Sequence, residues 1–115
     1  MAIKIVKSPI KKSELLEIAS EEFGDIVKAV VDVEQEIMAI GGELHADEEV
    51  LLIEGGSKRE NTWGITIYPE KSEEEWLEFD SMINLKPIFG NRSRDIENPQ
   101  IKEKIKKIVK KLIVE

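Results

Sequence analysis

The sequence predicts an α+β fold in which a mostly antiparallel sheet of about five strands carries three helices on one face, in the order β-α-β-β-α-β-β-α. Three observations point there. Apolar residues recur at helical spacing in segments with recognisable caps. Between them, β-branched and aromatic residues run together or alternate as strands require. Glycine and proline punctuate the junctions. With 115 residues, 41% of them hydrophobic, the chain is long enough to build one core and reads as a single domain over residues 1–115.

Ile3 to Val6 reads as a short strand, closed by Ser8-Pro9, where proline removes a ladder donor. Ser13 is the expected N-cap of the first helix, with Glu14 near its positive end. Leu15, Leu16, Ile18, Ala19 and Phe23 form its apolar stripe, and Gly24 stands where a left-handed C′ residue is wanted. The valine-rich run Ile26 to Val33 is a strand, Glu34-Gln35 its turn, and Glu36 to Ile40 its hairpin partner. Gly41-Gly42 breaks that ladder. Ala46-Asp47-Glu48-Glu49 has the acidic first turn of a helix, continued by Val50-Leu51-Leu52-Ile53 and stopped at Gly55-Gly56. Four consecutive apolar residues leave a strand over 50–53 as the alternative.

Trp63, Ile65 and Ile67 alternate with Gly64, Thr66 and Tyr68, the pattern of a half-buried strand ending at Pro69. Beyond the acidic turn Glu70–Glu75, a strand is expected over 77–85. Its Leu77, Phe79, Ser81, Ile83 and Leu85 share one face, while Trp76, Glu78, Asp80, Met82, Asn84 and Lys86 share the other. Pro87 closes it, and Gly90 to Asn98 is loop by composition. Asn98-Pro99 gives an N-cap and a proline at the first helical position. Ile101, Ile105, Ile108, Val109, Leu112 and Ile113 then trace an amphipathic last helix.

Composition excludes several functions. The absence of cysteine removes a disulfide scaffold, a thiol nucleophile and the usual cysteine zinc site. The net charge of −7 argues against general nucleic-acid binding. Charge is unevenly spread, however. Residues 92–115 hold two arginines and six lysines against four acids, while the preceding 91 residues carry −11. The basic end suits either an anionic partner or ordinary solvation. No apolar run approaches a membrane span, and Met1-Ala2-Ile3-Lys4-Ile5-Val6 lacks the apolar stretch of a signal peptide, so the expected location is the cytoplasm. Fourteen lysines, three arginines, 19 glutamates and 17 isoleucines resemble the composition of heat-adapted proteins.

Two stretches carry chemistry. Gly41 to Glu49 holds His45, the one histidine of the chain, between a double glycine and a helix start. His45 with Asp47 or Glu48 offers nitrogen and oxygen ligands to a divalent metal, Asp80 being the natural further ligand. Otherwise His45 is a general acid or base oriented by a carboxylate, or simply packs at the junction. The second stretch runs from Asp80 and Asn84 to the loop Gly90-Asn91-Arg92-Ser93-Arg94. That loop gathers an amide, a hydroxyl and two guanidinium groups able to meet phosphate or carboxylate; its plain alternative is a turn-rich connection. No glycine-rich nucleotide fingerprint and no nucleophile elbow occur. A serine triad would be limited to His45 with Ser57, Ser81 or Ser93.

The strings Ala39-Ile40-Gly41-Gly42-Glu43-Leu44-His45-Ala46-Asp47-Glu48-Glu49, Trp63-Gly64, Tyr68-Pro69, Glu78-Phe79-Asp80-Ser81-Met82-Ile83-Asn84 and Gly90-Asn91-Arg92-Ser93 resemble a small prokaryotic single-domain family of unknown function. The resemblance spans nearly the whole chain and implies no activity. The residues themselves lead to one expectation, a polar pocket formed by His45, Asp47, Glu48, Asp80, Asn84, Asn91, Arg92 and Ser93. It would take a small polar or anionic ligand, with or without a divalent cation. A hydrolase using His45 and Asp80 is the first alternative. The second is an interaction module in which helix 99–114 or an open sheet edge docks a partner or a second copy.

Overall fold

The computed structural model describes residues 3–115; Met1 and Ala2, which open the segment read as lacking the apolar stretch of a signal peptide, lie outside the described residues. Strands β1 (Lys4–Val6), β3 (Val27–Asp32), β4 (Ile37–Ile40), β5 (Thr62–Ile67) and β6 (Leu77–Glu78) form one antiparallel sheet, ordered β1-β4-β3-β5-β6. Helices α1 (Lys12–Glu22), α2 (His45–Glu54) and α3 (Pro99–Leu112) complete the expected α+β order. A separate parallel pair, β2 (Ile10–Lys11) with β7 (Ile113–Val114), joins the segment before α1 to the end of α3. Two-residue strands leave no periodic trace, so the sequence reading lacks them. No helix among the described residues is long and apolar enough to cross a membrane.

Helices cover both faces of the sheet, not one. The path from β1 through α1 to β3 skips the position that β4 fills, and the path from β4 through α2 to β5 skips β3. Both steps cross the sheet in the same direction, but they leave from strands of opposite polarity. Crossovers of one hand therefore place α1 and α2 on opposite faces. The larger core packs Leu15 and Ala19 of α1 and Ile105, Ile108, Val109 and Leu112 of α3 against Val27, Ala29, Val31, Trp63, Ile65 and Ile67. The smaller one packs Leu52 of α2 and Ile83 against Val30 and Ala39. A central strand packed on both faces explains why apolar residues of β3 point both ways, Val27, Ala29 and Val31 into the larger core and Val30 into the smaller.

Local signals behave unevenly. Asn98 caps α3 with its side chain accepting from Gln100 N–H at 2.8 Å, and Pro99 takes the first turn. Gly24 adopts the left-handed conformation that ends α1. The expected Ser13 cap is replaced, because α1 starts at Lys12 and Lys11 stands at its N-cap without a side-chain bond. Residues 50–53 are helical, as the acidic first turn and the Gly55-Gly56 stop require.

The largest departure lies in 77–86. The strand stops at Glu78, and Met82–Asn84 and Pro87–Phe89 form 3₁₀ turns instead. Ser81 initiates the first turn by accepting from Ile83 N–H at 3.3 Å. Trp76, Leu77 and Phe79 pack into the larger core while Ile83 packs into the smaller, which a continuous period-2 strand cannot do. β6 pairs only Thr66 and Ile67 of β5. At Gly64 the open edge is filled by a side chain: Asn84 Oδ1 accepts from Gly64 N–H at 2.8 Å, and its Nδ2 donates to Gly64 C=O at 3.0 Å. Asn84 thus stands in for a missing strand.

That approach requires glycine. A Cβ on residue 64 would lie 2.7 Å from both Cβ and Oγ of Ser81. Gly64→Ala is therefore expected to destabilise the protein by about 1–3 kcal/mol, as overpacking does, lowering the urea midpoint at unchanged slope; a midpoint equal to that of the parent would show that the 81–84 turn gives way freely.

Candidate functional site

A cleft of about 380 Å³ opens where the N-terminus of α2 meets the turn after β6. Its floor is a cross-strand row of Lys28, Thr66 and Glu78, neighbours in the sheet register. Leu44, His45 and Ala46 form one wall, and Asp80, Ser81, Met82 and Arg94 form the other. The second wall is held by backbone pairing: Ser81 N–H donates to Arg94 C=O at 3.1 Å, and Asn84 Nδ2 reaches the same carbonyl at 3.1 Å. Arg94 Nε donates to Asp80 at 2.7 Å. Both side chains are more than half exposed, so the pair orients the cleft more than it stabilises the fold.

His45 is half-buried, with Nε2 2.7 Å from the Ile65 carbonyl. Burial, first of all, pulls its imidazole below the ordinary value; Lys28 and Arg94 act the same way, while the Ile65 carbonyl and Asp80 oppose them. The ring is thus neutral at neutral pH, donates through Nε2 to Ile65 and offers Nδ1 as an acceptor. Lys28 Nζ donates to the Glu43 carbonyl at 2.9 Å and lies 5.0 Å from the centre of the Phe23 ring.

Of the residues named from sequence, the structure brings His45 and Asp80 to this cleft. Asn84 and Asn91 hold backbone instead. Asn91 Nδ2 lies within 2.7–3.0 Å of the carbonyls of Asn84, Ser93 and Asp95, and its Oδ1 accepts from Glu97 N–H at 2.9 Å. Arg92 is exposed, its N–H directed to the Glu97 carboxylate, and Ser93 is half-buried within the same loop; neither lines the cleft. Asp47 is exposed in the first turn of α2, and Glu48 is fully buried beneath Gly42. Asp80 and Asn84 do not share a face, because the strand that would align them ends at Glu78. Among the described residues no group of three or more His, Asp or Glu is placed to hold a metal ion. Of the set His45, Asp47 and Asp80 expected for a metal, Asp47 lies outside the cleft that the other two line, and Arg94 already engages one oxygen of Asp80.

Lys28, Thr66, Glu78 and Arg94 join the cleft without having been singled out one by one. Lys28 and Thr66 occupy the alternate positions of β3 and β5 that oppose the larger core, so strand period carried a signal for both. Arg94 belongs to the five-residue loop already marked by its guanidinium groups.

Two buried ionisable groups lie outside the cleft. Lys86, expected on the same strand face as Asp80 and Asn84, is buried; its amine donates to the Arg59 and Thr62 carbonyls and sits 4.4 Å from the Trp63 ring centre. Desolvation brings it down to about 8, although Glu49 draws it up. Glu49 accepts from Thr62 Oγ1 at 2.6 Å and from Arg59 at 3.0 Å. Glu48 accepts from Gly42 N–H at 2.9 Å through Oε2, while Oε1 has no partner among the described residues. Desolvation pushes Glu48 up to about 9, so at neutral pH it is a neutral acid.

The sign of that shift fixes a pH dependence. The unfolded chain releases this proton near 4.5 and the folded chain near 9. The contribution of Glu48 to stability is therefore whole below 4.5 and is lost progressively as pH rises towards 9. Glu48→Gln, a neutral isostere, is expected to raise the thermal midpoint at pH 8, with the gain shrinking towards pH 5. Equal midpoint differences at both pH values would show that the carboxyl is not held neutral.

The model of a family described as protein of unknown function (DUF5674) matches residues 4–112. No curated protein and no solved structure matches the chain.

Proposed function

This chain belongs to the DUF5674 family of proteins of unknown function, and we propose that it is a cytoplasmic binding protein whose cleft takes a small polar ligand carrying an anionic group. The observation that carries this reading is the convergence of Lys28, His45, Asp80 and Arg94, from four separate parts of the chain, on one concavity. Arg94 meets Asp80 through Nε, which leaves its terminal guanidinium nitrogens as donors for a carboxylate or phosphate oxygen. His45 Nδ1 accepts, and the Thr66 hydroxyl lies on the floor between Lys28 and Glu78. Two cations stand against two carboxylates, a balance that suits a small ligand of mixed polarity better than a polyanion. Apolar Leu44, Met82 and Ile83 supply the remaining surface, as binding clefts commonly do.

Titration of the ¹⁵N-labelled protein with inorganic phosphate, and separately with a nucleotide mixture, tests the reading. Amide shifts should cluster at residues 28, 44–46, 66, 78–83 and 94. Arg94→Gln should weaken the effect at least about tenfold, about 1.4 kcal/mol, with the rest of the spectrum preserved. Shifts confined to α3, or none with either probe, would retire the cleft.

A further inference from the structure

Helix α2 is turned inside out. Its inward face carries Glu48, Glu49 and Leu52, exposed by 0%, 7% and 2%, whereas Val50, Leu51 and Ile53 are 53%, 37% and 40% exposed, and Leu44 at the N-cap is 56% exposed. Sequence period locates them: at 3.6 residues per turn, Val50 lies on the outer crest beside Asp47 and Glu54, with Leu44 and Leu51 on one flank and Ile53 on the other. The inward positions go to glutamates because both have fixed partners there, the Gly42 amide for Glu48 and Thr62 with Arg59 for Glu49. The apolar side chains that would ordinarily face the core are left on the surface.

Isolated exposed apolar residues need no explanation, but a helix that exposes three of its four consecutive apolar residues does. Charge narrows what covers them. Residues 43–54 contain five acids and neither lysine nor arginine, and Glu43, Asp47 and Glu54 are exposed around the apolar residues. A second copy is a poor fit: antiparallel α2–α2 pairing centred between Val50 and Leu51 sets Asp47 of each copy against Glu54 of the other. The basic α3 of another copy is also unsuitable, since Ile105, Ile108, Val109 and Leu112 are committed to its own core. We propose that the outer face of α2 is a docking surface for a basic amphipathic helix of another protein, whose apolar stripe covers Val50, Leu51 and Ile53 and whose lysines or arginines meet Asp47 and Glu54. This surface adjoins the cleft at Leu44, but the residues that define it, Asp47, Val50, Leu51, Ile53 and Glu54, do not line the cleft.

The test uses two synthetic helical peptides with leucines at i, i+3, i+4 and i+7, one flanked by lysines and its twin by glutamates, titrated into the ¹⁵N-labelled full chain. The lysine peptide should shift amides over 47–54 and bind at least about tenfold more tightly than its twin, with the difference shrinking as salt rises. Val50→Ser/Leu51→Ser should weaken it by at least about the same factor. Asp47→Lys/Glu54→Lys, which leaves the apolar residues in place, should reverse the preference between the peptides. Equal binding of both peptides, or no shift over 47–54, overturns the proposal. So does a protein mass that grows with concentration in sedimentation and is restored to the monomer by Val50→Ser/Leu51→Ser, because the face would then belong to a second copy.

Discussion

Everything on the cleft side of the sheet depends on how the free edge of β5 is satisfied at Gly64. A backbone N–H and C=O buried without partners would be expensive, and no strand reaches them. The carboxamide of Asn84 carries the same donor and acceptor as a peptide group and supplies both. Its position is secured in turn by Asn91, which gathers the carbonyls of Asn84, Ser93 and Asp95. Two asparagines therefore convert an irregular stretch, 81–97, into a fixed wall. Asp80 and Arg94 face His45 because that wall stands where it does, and the smallness of Gly64 lets it stand so close.

What was legible in the sequence follows from whether the controlling interaction is local. Asn98 and Pro99 mark the start of α3 because capping acts within three residues. Trp63, Ile65 and Ile67 identify β5 because strand period is local too. The alternation from Leu77 to Leu85 obeys the same rule and misleads, since tertiary contacts overrode it: Asn84 is worth more as a backbone partner for β5 than as a member of a sixth strand residue row. The placement of α2 opposite α1 was inaccessible for a related reason, as it follows from strand polarity and order, which no window of sequence contains. His45 and Asp80 drew attention by residue type alone, whereas Lys28 and Thr66 belong to the cleft only because β3 and β5 are neighbours.

Helix α2 shows what happens when polar fixation competes with apolar burial. Glu48 and Glu49 occupy the inward positions, and only Leu52 of the apolar run reaches the core. Lys86, which shares the Arg59 and Thr62 surroundings with Glu49 of this helix, is another long side chain taken inside and held by carbonyls. The opposite shifts of Glu48 and Lys86 share one cause: each sits where the charged form has lost water without gaining full compensation. Such groups define geometry more sharply than an oily surface would, because each bonds only to particular partners, the Gly42 amide for Glu48 and the Arg59 and Thr62 carbonyls for Lys86.

The pairing of β2 with β7 carries a consequence for how the molecule is made. Ile10 meets Ile113, so a strand made before α1 must wait for one made after α3. Until then α3 is missing as well, and the sheet surface formed by Val27, Ala29, Val31, Ile65 and Ile67 has only α1 to shield it. A nascent chain of this protein can complete its central hairpin early, yet its larger core closes only once α3 and β7 have been made, in a final zipping of that helix and strand onto a waiting, half-clothed sheet.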